Sequence, residues 1–137
     1  MLYVVLTIFF WGITPVLDKL AAVQTDAAVG VFIRTACIAV VSVLALSITG
    51  KWGMLGDVTP RTALYLGVSG ILAGCLGVFT YLRAMQVIQD AGKVAVMTSI
   101  YPLVALLCTV YFLQEKITTA KVAGSVLITA GIVLLNL

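Results

Sequence analysis

The chain has 137 residues, 63% of them hydrophobic and 9% charged, with eight Lys and Arg, five Asp and Glu, and no His. A water-soluble domain carries about 25% charged residues, and one this apolar would expose aggregating patches, so composition assigns an integral membrane protein. The net charge of +3 comes from basic residues placed singly, which excludes a nucleic-acid-binding run, and the lack of His excludes His metal sites and Ser–His or Cys–His dyads.

A helix rises 1.5 Å per residue, so about 20 residues cross the ~30 Å hydrocarbon core. Spanning segments are helices or closed barrels. Barrel strands alternate apolar and polar positions, whereas this chain has continuous apolar runs, so the predicted fold is all-α. Charges and turn residues divide it into five spans. The first, about residues 2–21, carries no charged side chain between Met1 and Leu17. A cleaved leader opens on a basic region, so this segment is read as a retained helix. Pro15 removes a backbone hydrogen bond and frees a carbonyl near Trp11 or Gly12. Beyond it lies Asp18, for which two readings stand: a cation or proton ligand facing a cavity, or an ion pair with Lys19 or a nearby basic residue at the interface.

The second span covers about residues 27–49, with Asp26 placed to cap it, since acids favour helix N-termini. Arg34 lies two turns in. It either snorkels to the headgroups or faces inward to hold a carboxylate or phosphate. A polar connector, residues 50–61, leads to Thr59-Pro60, where proline suits a first helical turn. The third span, about 62–85, carries Gly67, Gly70, Gly74 and Gly77 at spacings of 3, 4 and 3, which places them on one face. Such a face serves close helix packing, or a sliding surface or cavity wall. Tyr81 closes this span.

Gln89-Asp90-Ala91-Gly92 breaks the chain before the fourth span, about residues 93–113. There Thr98, Ser99 and Tyr101 supply hydroxyls, and Pro102 interrupts the helix and exposes backbone carbonyls. Glu115-Lys116 turns into the fifth span, about residues 119–137, whose Gly124 and Gly131 share a face two turns apart. That face meets another helix of the same subunit or the fifth helix of a partner. The connectors are short, so consecutive helices are antiparallel neighbours in one domain, residues 1–137. Cys37, Cys75 and Cys108 fall inside apolar runs; three thiols make no disulfide framework and read as small packing hydrophobes. No metal, no cofactor and no enzymatic activity are expected.

An odd number of spans puts the termini on opposite sides. The side of the N-terminus holds Lys51, Arg61, Lys116 and Lys121; the other holds Lys19, Arg83 and Lys93, joined by Arg34 if it reaches the interface. Orientation follows the excess of Lys and Arg, and here the excess is one or none. Either the chain inserts both ways and pairs with an inverted copy, or one added charge or the first helix sets a single orientation.

Trp11-Gly12 followed by Lys19, then Tyr81-Leu82-Arg83-Ala84-Met85, then Ala95 with Tyr101-Pro102-Leu103, and finally Leu113, Glu115 and Lys116 with Gly124 and Gly131, together resemble one EamA domain of the drug/metabolite transporter superfamily over the whole chain. The last helix is also similar to the dimerisation stretch of small multidrug resistance proteins at Gly124, Leu127, Ile128 and Gly131, with Ile132 where valine is usual. Members often carry two such repeats, so the resemblance implies half of an inverted-repeat transporter that completes itself as an antiparallel homodimer. It further implies a multi-pass protein of the cell membrane, of prokaryotic inner-membrane type. The implied activity is export of small polar or amphipathic metabolites or drugs by alternating access. Trp11, Pro15, Asp18, Arg34, Tyr81, Thr98, Ser99, Tyr101 and Pro102 are the candidate substrate-lining residues. Small multidrug resistance proteins exchange protons on a glutamate in helix 1; here helix 1 has none, and Asp18 is the acid available there. Two rivals stand beside the homodimer, a heterodimer subunit and a subunit of a lipid-linked sugar flippase, in which Arg34 would meet a phosphate.

Overall fold

A computed structural model describes residues 1–135, and among them the regular structure is entirely helical. Helices α1 (Leu2–Ala22), α2 (Ala27–Thr49), α3 (Pro60–Ile88) and α4 (Ala91–Leu113) are each long and apolar enough to cross a bilayer, and α5 (Thr119–Leu135) is shorter. The fifth span was expected to reach residue 137; its last two positions lie outside the described residues. The chain divides into two compact units, Met1–Gln89 and the segment from Asp90 onward.

In the first unit the helix ends follow local chemistry. Asp26 Oδ1 accepts from Ala28 N at 2.8 Å and caps α2, which closes on Gly50 in the left-handed region at φ 65°. That conformation suits a residue without Cβ. Thr59 Oγ1 accepts from Thr62 N at 3.2 Å, with Pro60 in the first turn of α3. Helix α3 runs past the expected end to Ile88 and closes on Gln89, whose left-handed backbone (φ 59°) returns its N–H to the Met85 carbonyl at 3.2 Å. Within α3, residues Gly70–Gly77 form a π-helix between two α-helical stretches.

The C-terminal stretch of α3, Val78–Ile88, packs against both α1 and α2. Ala22, Ala27, Val31, Leu82 and Met85 form the buried core there. Away from that end the apolar side chains of α1, α2 and α3 are largely exposed, as suits surfaces that face lipid. Hydroxyls along α2 turn back on their own helix, Ser42 to Ile38 O at 2.8 Å and Ser47 to Val43 O at 2.9 Å, so neither donor is left bare in hydrocarbon.

The second unit starts with Asp90 Oδ1 accepting from Lys93 N at 2.8 Å. Helix α4 is two stretches, Ala91–Thr98 and Tyr101–Leu113, broken at Ser99 and Ile100. Pro102, at the start of the second, has no N–H to give the Thr98 carbonyl. The left-handed Gln114 (φ 55°) ends α4, and Thr118 Oγ1 accepts from Lys121 N at 3.3 Å to start α5. Helix α5 packs against the first stretch of α4.

Candidate functional site

Charged side chains gather at one end of the first unit, where α1 finishes, α2 begins and α3 finishes. Asp18 lies one turn before the end of α1. Arg34 lies seven residues into α2, about 10 Å along the helix axis at 1.5 Å per residue. Arg34 Nη1 donates to Asp18 Oδ1 at 3.0 Å and Oδ2 at 3.1 Å. The Asp18 side chain keeps 14% of its accessible surface and that of Arg34 38%. The pair is therefore mostly shielded on its acidic side and more open on its basic side. Both residues line a cavity of about 400 Å³ with Thr14, Leu17, Ala21, Thr25, Gly30, Ile33 and Leu82. The half-buried Tyr81 phenol sits close enough to feel both charges.

Two further polar links tie the helix ends around this cavity. Lys19 Nζ donates to the Met85 carbonyl at 3.0 Å, across from α1 to α3. In the opposite direction, Gln86 Nε2 donates to the Ala22 carbonyl at 3.2 Å and the Thr25 carbonyl at 2.9 Å. Each helix thus supplies a side chain that adds a donor to carbonyls at or just beyond the other's C-terminal end, where intrahelical donors run out. Arg83 Nη1 donates to Gln86 Oε1 at 3.1 Å and lies 3.9 Å from Asp26 Oδ2 in an exposed ion pair. Close packing completes the frame. A Cβ added to Gly30 would stand 3.0 Å from Leu82 Cδ1, so a glycine is what lets α2 approach α3 beside the pair.

Of the residues named from sequence, the structure brings Asp18, Arg34 and Tyr81 together. Asp18 pairs with Arg34 and not with Lys19, which reaches the Met85 carbonyl. Pro15 sits within an unbroken α1, beside the lining residue Thr14. Trp11 is 63% exposed, a full turn further from the pair. Thr98, Ser99, Tyr101 and Pro102 belong to the second unit. There the Thr98 hydroxyl donates to Val94 O at 2.9 Å and that of Ser99 to Val96 O at 2.6 Å. This back-bonding loosens a helix where Pro102 already breaks it. A Cβ on Gly67, Gly70, Gly74, Gly124 or Gly131 would meet nothing within 4 Å. Leu127 and Ile128 are exposed as well.

The site also includes residues that sequence reasoning passed over: Thr14, Ala21 and Thr25 on the α1 side, Gly30 and Ile33 on α2, and the clasping Gln86. Their signal was helical spacing. Thr14, Asp18 and Ala21 recur at intervals of 4 and 3, one stripe of small and polar groups on α1, and Thr25 follows in the turn beyond its end. A larger concavity, about 750 Å³, lies in the second unit between the second stretch of α4 and α5. Among the described residues it is walled by leucine, isoleucine, valine and alanine with Ser125 and Thr129 as polar groups, so those residues offer it no charge or acid–base chemistry. The site that can discriminate a ligand is the smaller one.

Comparison with known proteins agrees with a transport role. Residues 1–137 match the model of the EamA-like transporter family. A protein of Sinorhizobium sp named "Uncharacterized transporter in cobO 3'region" is 29% identical over 133 residues, which cover 97% of this chain and 93% of that protein. No solved structure matches.

Proposed function

The chain belongs to the EamA-like transporter family, and from that premise we propose that it exports small polar or amphipathic metabolites or drugs by alternating access, working as an antiparallel homodimer in the cell membrane. The observation that carries this reading is the Asp18–Arg34 pair facing a cavity within apolar spans. Ionisable residues inside a membrane are costly and tend to mark ion or substrate pathways. A purely structural bundle gains little from a buried ion pair that apolar residues of similar volume would replace.

Three features support the homodimer. One unit of this size covers 93% of the Sinorhizobium protein. Apolar side chains on every long helix are exposed. Gly124 and Gly131 on α5 have open space beside them, with Leu127 and Ile128 exposed on the same helix. Small residues of this kind allow close helix approach in lipid. The candidate substrate-lining residues remain Trp11 in the first unit and, in the second, the broken region of α4 around Thr98, Ser99, Tyr101 and Pro102, while Gly67, Gly70, Gly74 and Gly77 supply small residues along α3 for close helix approach.

The test is reconstitution into liposomes loaded with a panel of small solutes. Wild-type protein is expected to release at least one of them, and Asp18→Asn and Arg34→Gln to reduce that release at least tenfold while crosslinking still recovers a dimer. Unchanged release by both variants would remove the pair from the mechanism.

A further inference from the structure

Arg34 meets Asp18 through a single nitrogen. Nη1 spans both carboxylate oxygens, at 3.0 and 3.1 Å. Among the described residues Nε and Nη2 have no hydrogen-bond partner, although Arg34 lines the cavity and its side chain is 38% exposed. A guanidinium carries five N–H donors in a rigid fork that matches carboxylate and phosphate in bidentate fashion. Most of that fork is therefore unspent beside a cavity whose lining is largely apolar.

The charge balance around it points the same way. At this end of the first unit, the cations are Lys19, Arg34 and Arg83, and the acids are Asp18 and Asp26. Asp18 is taken by Arg34, and Asp26 lies near Arg83. Lys19 is left with a carbonyl for a partner, Met85 O, and makes no ion pair among the described residues. A neutral pair with an open fork, and one cation without a carboxylate beside it, complement a ligand of single negative charge. A cationic ligand would meet Asp18 already occupied. The other lining residues, Leu17, Ala21, Ile33 and Leu82 among them, suit an apolar body.

We infer that the unbonded Nε and Nη2 donors of Arg34 form an oxyanion-binding site in this cavity, which takes the carboxylate or phosphate of an amphipathic monoanion. The inference rests on the transport reading above and narrows its substrate class. The anion has two possible sources, a soluble solute or the headgroup of an anionic lipid, and the experiment separates them.

Purified full-length protein in an uncharged detergent is titrated calorimetrically with sodium benzoate and with phenyl phosphate, with benzamide as the uncharged control. A second arm places the protein in phosphatidylcholine nanodiscs with and without phosphatidylglycerol and counts retained lipid by native mass spectrometry. The expected result is saturable binding of at least one oxyanion and none of benzamide. Affinity should fall at least tenfold in Arg34→Lys, because an ammonium cannot reproduce the fork, and should rise in Asp18→Asn, which frees Arg34 from its counter-charge. Binding of the soluble anions assigns a solute; Arg34-dependent retention of phosphatidylglycerol alone assigns a headgroup. If neither anion nor anionic lipid binds, or if binding survives unchanged in Arg34→Lys and Asp18→Asn, the inference is overturned. The double variant Asp18→Asn, Arg34→Gln replaces the ion pair by neutral hydrogen-bonding side chains, so loss of anion binding there, in a protein that still unfolds cooperatively, separates recognition from folding. Flux is read independently in liposomes. Anion binding without transport of any solute sinks the transport reading and leaves the site; transport of cations or neutral solutes without anion binding sinks the site and leaves the transport reading.

Discussion

Asp18 and Arg34 stabilise the first unit through a pair whose worth depends on how much water reaches it. Breaking a fully buried pair by removing one partner costs about 3–5 kcal/mol, and a surface pair is worth about 0–1 kcal/mol. With side-chain exposures of 14% and 38%, Asp18→Ala belongs between these limits, about 1–3 kcal/mol destabilising. Thermal unfolding in detergent should show this loss, and Asp18→Leu combined with Arg34→Leu should lose less than the two single changes together. Strict additivity would mean that the two side chains do not interact. Both residues were legible in the sequence as ionisable groups within apolar spans, but their pairing was not. Adjacent positions on a helix point about 100° apart, so Asp18 turns toward α2 while Lys19 turns toward α3. Lys19 and a nearby basic residue were both open as partners for Asp18; helix geometry sent Lys19 to the Met85 carbonyl and left Arg34 for Asp18.

Helix ends carry local signals. Asp26, Gly50 and Thr59-Pro60 fix the ends of α2 and the start of α3 through capping bonds and backbone conformation. The π-helix at Gly70–Gly77 left no such mark. Its i→i+5 pattern changes the register without changing composition, so the single glycine face deduced from α-helical spacing applies fully only outside it. Approach between elements was equally hidden at Gly30, which falls outside the glycine stripes singled out from sequence. A Cβ there would press on Leu82 Cδ1 at 3.0 Å and approach Thr25 Cγ2 at 3.7 Å, and Leu82 is only 4% exposed. Gly30→Ala should therefore push the Leu82 side chain aside by a few tenths of an ångström and destabilise by about 1–3 kcal/mol, the usual range for an overfilled core. Replacing Leu82 by valine removes the atom in the way, so Gly30→Ala with Leu82→Val should lose less than the sum of the single losses. Thermal unfolding of the four proteins decides it; a Gly30→Ala protein as stable as wild type would mean that the two helices are not held at this distance.

For the whole molecule the proposed inverted pair rests on the near-tie in basic residues between the two sides expected from five spans. Lys51, Arg61, Lys116 and Lys121 stand against Lys19, Arg83 and Lys93. Arg34, bound to Asp18, adds little free charge to the second group. A difference of one Lys or Arg is a weak orienting signal, and an antiparallel dimer built from one gene requires both orientations. Two added lysines on one side should therefore commit the chain to a single orientation and remove transport. Gly53→Lys with Asp57→Lys does this in the connector between α2 and α3, where a side chain at Gly53 meets nothing within 4 Å. Gln24→Lys with Val87→Lys does the opposite at exposed positions near the ends of α1 and α3. Each biased protein expressed alone should show one-sided labelling of a cysteine introduced at Lys51 and should transport nothing. Expressed together, the two should supply both orientations and restore transport. Full activity from either biased protein alone would show that one orientation suffices, and the inverted pair would no longer be needed to explain a unit of five helices.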